Sequence, residues 1–158
     1  MSLASVTTFF AAHAPDIAVE RYAASTATVA LAAAALGVTP GQIAKTLSLR
    51  LDDEVVLLVA RGDARVDNRK YKDRFGQKAR MLNLDEVERE TGHPVGGVCP
   101  FGLARPLRVF CDVSLRAFDV VFPAAGAPDA AVRVTPDRLA LLTHAEWVDV
   151  MQAVAVAA

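Results

Sequence analysis

The chain has 158 residues, 17 basic against 18 acidic side chains and 53% hydrophobic residues, so 1–158 read as one compact domain rather than two. Near-neutral charge argues against a general nucleic-acid coat, and no apolar run reaches the roughly 18 residues a membrane span needs. The N-terminus lacks the basic start and cleavage pattern of a secretory leader, so a cytoplasmic setting is expected.

In chain order, residues 6–12 predict a short helix and 17–22 a half-buried strand, from their apolar periodicity. An alanine-rich helix capped by Ser25 or Thr26 follows and stops at Gly37. Pro40 and Gly41 turn the chain into two apolar runs, 43–51 and 55–60, whose separation by Asp52 and Asp53 is a hairpin signature. Residues 67–75 predict a helix with Asp67 as cap, and Asn83 or Asp85 opens another that ends at Gly92. The stretch 93–102 holds three glycines and two prolines and predicts a shaped loop. Strands are expected at 107–111, 118–122 and 131–134. Thr135 and Pro136 then start a helix through Leu142, and 147–151 return to the sheet. Hairpin-linked strands interrupted by helices indicate an α+β or mixed-sheet domain.

Familiar catalytic signatures are absent: the sequence contains no phosphate-binding G-x-x-x-x-G-K-[ST], no H-E-x-x-H and no G-x-S-x-G. His13, His93 and His144 lack ligand spacing, so neither a metal nor a cofactor is expected. Cys99 and Cys111 have no C-x-x-C spacing and read as reduced thiols.

Three features remain. Lys45 falls on the face of its strand with Ile43, Leu47 and Leu49, where an ammonium either snorkels to the rim, pairs with a carboxylate or forms a cleft floor that holds a phosphate. Gly96, Gly97 and Pro100 make a G-x-x-x-P loop able to aim backbone groups at a carbonyl or a water, although many tight loops share that composition. Eight basic residues against three acidic ones between Arg61 and Arg80 suit either phosphate contact or a solvated helical face. Asn68 and Tyr71 in that segment could contact nucleotides or serve capping and packing, and Asp112 with Ser114 reads as a turn cap. Cys99, six residues after His93, could form a thiol–imidazole pair or pack as a small apolar group.

The lysine strand Ile43-Ala44-Lys45-Thr46-Leu47, the Leu57-Leu58-Val59-Ala60-Arg61-Gly62-Asp63 segment and the Pro94-Val95-Gly96-Gly97-Val98-Cys99-Pro100-Phe101-Gly102 loop together resemble the YbaK/EbsC family. That family includes freestanding relatives of the editing domain of bacterial prolyl-tRNA synthetase, and the resemblance runs over roughly residues 6–142. It implies a mixed, mainly antiparallel sheet flanked by helices. It also implies a trans-acting deacylase that hydrolyses the ester of a mischarged tRNA, with tRNA for proline as carrier. The alternative is a non-catalytic tRNA-binding regulatory module. By this resemblance Lys45, Gly96, Gly97 and Pro100 carry the reaction, Lys45 engaging the acceptor end and the loop positioning the aminoacyl carbonyl. Val98, Cys99 and Phe101 are expected to line the substrate pocket. Arg65, Arg69, Lys70 and Lys72 are expected to contact the tRNA, and a synthetase is a further candidate partner. Some relatives carry a histidine in a Phe-His-Pro segment where this chain reads Val121-Phe122-Pro123-Ala124-Ala125-Gly126, which leaves the amino acid removed open.

Overall fold

The computed structural model describes residues 2–154. In chain order the elements are α1 (Ser2–His13), β1 (Glu20–Arg21), α2 (Val29–Leu36), β2 (Ile43–Leu51), β3 (Glu54–Arg61), α3 (Asn68–Phe75), α4 (Leu84–Thr91), β4 (Arg108–Asp112), β5 (Phe122–Pro123), β6 (Ala130–Ala131), α5 (Pro136–Thr143) and β7 (Glu146–Val148). Short 3-10 turns at Pro40–Gln42 and Val113–Ala117 lead into β2 and out of β4.

Five strands form the main sheet in the order β5-β2-β3-β4-β7, while β1 and β6 make a separate two-stranded ribbon. The α+β class and the mixed sheet flanked by helices agree with the sequence reading. The antiparallel part of the main sheet is the long β2–β3 hairpin, whose reversal passes through Asp52 in a left-handed conformation. The other three pairings, β2–β5, β3–β4 and β4–β7, are short and parallel. Parallel pairing requires long crossovers, and the chain between β3 and β4 supplies one through α3, α4 and the 93–102 loop.

The central position of β3 explains its unbroken apolar run, because both of its faces are covered. Leu57 and Val59 pack with Val109, Cys111, Phe10, Phe101 and Leu139 on one face. Val56, Leu58 and Ala60 pack with Leu49, Tyr71, Phe110 and Met151 on the other. Alternation therefore sends Lys45 to the second face and Ala44, Thr46 and Ser48 to the first.

The helix caps are local in origin. Asp67 accepts the N–H groups of Arg69 and Lys70 at 3.1 and 3.0 Å, and Gly37, Gly76 and Gly92 close their helices in left-handed conformations. Helix α2 is capped by Thr28 rather than Ser25 or Thr26, which leaves Thr26 in the approach to the helix. Three expected strands shrink. Of 17–22 only Glu20–Arg21 pairs, 131–134 contributes only Ala131 to β6, and 118–122 contributes only Phe122 to β5. There the chain folds first into the 3-10 turn at Val113–Ala117, where the Asp112 carboxylate accepts the Ser114 N–H at 2.9 Å and the Val150 N–H at 2.8 Å. Val121 is left with a single bridge to Val134. Packing, not a ladder, satisfies the apolar pattern of that stretch.

Leu57 is fully buried at the middle of the sheet. Leu57→Ala is expected to lower stability by about 2–5 kcal/mol, read as a reduced urea midpoint with an unchanged slope.

Candidate functional site

The outer edge of β2 is occupied at both ends and open between them. Ile43 and Ala44 pair with β5. Farther along, the Arg50 N–H donates to the Arg80 carbonyl at 2.8 Å, and the Leu82 N–H donates to the Ser48 carbonyl at 3.0 Å. Backbone groups of a strand alternate in direction, so Thr46 turns its N–H and C=O outward as Ser48 and Arg50 do. Its neighbours on that edge end before they reach it, and a cavity of about 240 Å³ fills the gap.

Lys45, Thr46, Gly96 and Val98 all line this cavity. The walls are apolar: Val29, Ala32 and Leu36 of α2, Ile43, Phe122, and Leu82 with Val87 from the α4 side. Thr26 and Thr46 also line it, and the hydroxyl of each is buried without a hydrogen-bond partner among the described residues. A buried hydroxyl lacking a partner costs about 1–3 kcal/mol, so the two threonines are polar groups on this wall that a ligand or water is able to satisfy. Sequence reasoning missed both. Threonine in a strand or before a helix has ordinary structural uses, and only an unfilled partner distinguishes these two.

Lys45 is half-buried, and its ammonium donates to the Ala64 carbonyl. Burial pulls its pKa below the ordinary lysine value, the Asp63 carboxylate opposes that shift, and the Arg65 charge adds to it. Asp63 is itself held low by the Arg61 guanidinium, 2.6 Å away, which also lies over the Phe118 ring.

The loop opposite is a turn closed by the Gly97 N–H, which donates to the Pro94 carbonyl at 2.9 Å. Gly96 sits third in that turn with φ at +91°, a conformation that glycine adopts without strain. Gly97 is packed so tightly that a Cβ would lie 2.6 Å from the Ala127 nitrogen, and its carbonyl accepts the Gly126 N–H at 2.9 Å. The Gly97 amide is therefore committed. The N–H groups of Val95, Gly96 and Val98 have no acceptor among the described residues, and all three residues line the cavity. Pro100 is buried outside the cavity lining and shapes the loop from behind.

Cys99 and Phe101 do not line the cavity. Both are fully buried in the core, Phe101 against Phe9 and Phe10. Of the three residues expected as pocket lining, Val98 alone faces it. His93 is also buried. Its Nε2 donates to the Phe101 carbonyl at 2.6 Å, while Nδ1 accepts from the Ser2 hydroxyl at 2.5 Å, so the ring staples the loop ends and ties them to α1. The Cys99 Sγ lies 3.6 Å from Nε2, but burial pushes the thiol up to about 12, and a neutral, enclosed thiol is no nucleophile.

The basic segment divides. Lys70 is tied to Asp149 at 3.2 Å and to the Met151 carbonyl at 3.1 Å, and Arg74 is tied to Glu146. Arg65, Arg69 and Lys72 are exposed, with no ion-pair partner among the described residues. Tyr71 is buried in the core beside Phe75 and is not available to nucleotides, whereas Asn68 is exposed. Among the described residues there is no cluster of three or more metal-ligating side chains, and no helix is long and apolar enough to cross a membrane.

A model of the aminoacyl-tRNA editing domain matches residues 23–142. Over 152 residues the chain is 47% identical to the uncharacterized protein YwhH of Bacillus subtilis (strain 168), covering 95% of this chain and 97% of that protein. It is 36% identical over 102 residues to a proline–tRNA ligase of Geobacter sp. (strain M21), which is 64% of this chain and 18% of the ligase. Among solved structures, one described as a proposed trans-editing enzyme for prolyl tRNA synthetase superposes with a TM-score of 0.87 at 32% identity, covering 96% of this chain and 98% of that one. The hypothetical protein APE2540 superposes at 0.85 and 31% identity, covering 94% and 99%.

Two measurements test the architecture of the loop. Burial lowers the pKa of His93, so the unfolded chain binds the proton more readily; stability is full above about pH 6.5 and falls as pH drops below it toward the folded-state value. Urea unfolding between pH 7 and 5 is expected to show that decline, and His93→Gln to flatten it. Gly97→Ala, which drives a methyl into the Ala127 backbone, is expected to lower the melting temperature by several degrees.

Proposed function

The chain belongs to the aminoacyl-tRNA editing domain family, and from that membership we propose that it is a trans-acting deacylase, working in the cytoplasm on the ester of a mischarged tRNA. The observation that carries this reading is the shared cavity: Lys45 and a glycine turn whose N–H groups lack acceptors among the described residues line it together, with apolar walls between. The proline-tRNA connection is supported by the sequence identity to the ligase and by the trans-editing relative.

An aminoacyl ester is already activated, and its hydrolysis requires an oriented water, a stabilised oxyanion and a route for one proton. In this reading the Lys45 ammonium leaves the Ala64 carbonyl to bind a phosphate of the acceptor end. The aminoacyl carbonyl oxygen lies against the N–H groups of Gly96 and Val98. Water adds to the carbonyl carbon, with the vicinal ribose hydroxyl relaying its proton to the departing ribose oxygen as the ester bond breaks, leaving amino acid and uncharged tRNA. Thr26 and Thr46 receive polar atoms of the aminoacyl group. Arg65, Arg69 and Lys72 contact the phosphate backbone, so binding is expected to weaken steeply with salt. Alanine, serine, threonine, cysteine and 2-aminobutyrate are candidates for removal, because in an apolar pocket one methylene changes discrimination by only about 1–3 kcal/mol.

The test is a panel of tRNAs for proline carrying these amino acids, followed by release of the labelled amino acid. Hydrolysis by the wild-type protein supports the deacylase; binding without turnover supports the regulatory module instead. Lys45→Ala is expected to lower kcat/KM by about 100-fold or more. Cys99→Ala is expected to retain turnover, and thiol alkylation of the folded protein to leave it unchanged.

A further inference from the structure

Six large apolar side chains stand exposed among the described residues, and three of them surround one opening. Met81 is 57% exposed, Leu84 71% and Val95 52%, and all three line the cavity that contains Lys45 and Gly96. Each comes from a different element and each is fixed. Met81 is bridged to Leu49 of β2. Leu84 is the first residue of α4, where the Asn83 N–H donates to the Glu86 carboxylate at 3.2 Å. Val95 is second in the turn closed by Gly97. Single exposed apolar residues need no explanation, but a fixed collar of three at a cavity mouth marks a contact surface.

The geometry limits what it contacts. The cavity measures about 240 Å³, against about 150 Å³ for a cavity that encloses benzene. A small aminoacyl group is thus accommodated inside, and whatever is esterified to it meets the collar on the way out. Resting on the deacylase reading, we propose that Met81, Leu84 and Val95 form an apolar seat for the base of the tRNA's terminal nucleotide. Every base has an apolar face, and none of these three side chains donates a hydrogen bond or carries more than the weakly accepting Met81 sulfur, so the seat holds the base by its face and does not read its edge. The charged part of the same ligand has its own place: Lys45 bonds to Ala64, and the unpaired Arg65 follows directly in the chain. The seat and the cations therefore act through different physical terms. Loss of the first weakens binding without changing its salt dependence, and loss of the second reduces the salt dependence.

The experiment uses fluorescence anisotropy with an uncharged RNA oligonucleotide ending in CCA and a matched oligonucleotide whose 3′ residue is abasic. Wild-type protein, Met81→Ser, Leu84→Ser and Arg69→Ala are compared, with melting temperatures confirming the fold of each variant. The two collar variants are expected to bind the CCA oligonucleotide about tenfold more weakly with an unchanged salt slope, and the abasic one as the wild type does. Arg69→Ala is expected to lower the slope for both. Equal binding of the CCA oligonucleotide by collar variants and wild type overturns the seat and leaves the patch to a protein partner. Failure of the wild type to distinguish the two oligonucleotides overturns it as well. Deacylation by the wild type is assayed in parallel: turnover with indifferent collar variants removes the seat alone, and collar-dependent base binding without turnover removes the deacylase reading alone.

Discussion

The second strand of the sheet is hydrogen-bonded along its whole inner edge by β3, yet its outer edge is interrupted between β5 and the 80–82 segment. Unpaired strand backbone needs water or a ligand to satisfy it, and the cavity at this gap gives room for either. The opening exposes the Thr46 main chain, lets α2 wall off one side and brings the Gly96 turn to the other. Lys45 points to one face of the sheet and Thr46 to the opposite one, and both residues line the cavity at this edge.

Rigidity of the opposite wall has an independent source. His93 joins the two ends of its loop and reaches the first turn of α1, while Gly97 is pinned to Gly126 and Ala127. A backbone donor is useful in catalysis only when it already points at the developing charge, and these contacts hold the Gly96 and Val98 amides without the help of side chains in the cavity. The committed Gly97 amide belongs to that framework. Polar contacts around the site are few and fixed, and apolar walls keep them from being diluted by solvent.

Much of this was legible in the residues. Asp52 and Asp53 between two apolar runs specify the hairpin, Asp67 and the glycines that end α2, α3 and α4 specify helix limits, and the lysine strand with its glycine loop points to the family. These signals are local: a cap or a turn acts on backbone a few residues away. Strand pairing at 118–122 was not legible, because an apolar pattern is satisfied equally by packing against Arg61 and by a ladder.

The site divides along the same line. Composition and spacing determined that Lys45 shares a face with leucines, that residues 93–102 form a loop and that the chain carries a basic segment. Only the tertiary structure decided that Cys99 and Phe101 face the core, that Lys70 pairs with Asp149, that the Thr26 and Thr46 hydroxyls lack partners among the described residues and that Met81, Leu84 and Val95 line one cavity. Periodicity assigns a residue to a face but does not say which neighbour arrives there, and a polar atom becomes a binding determinant only through partners contributed, or withheld, by distant parts of the chain.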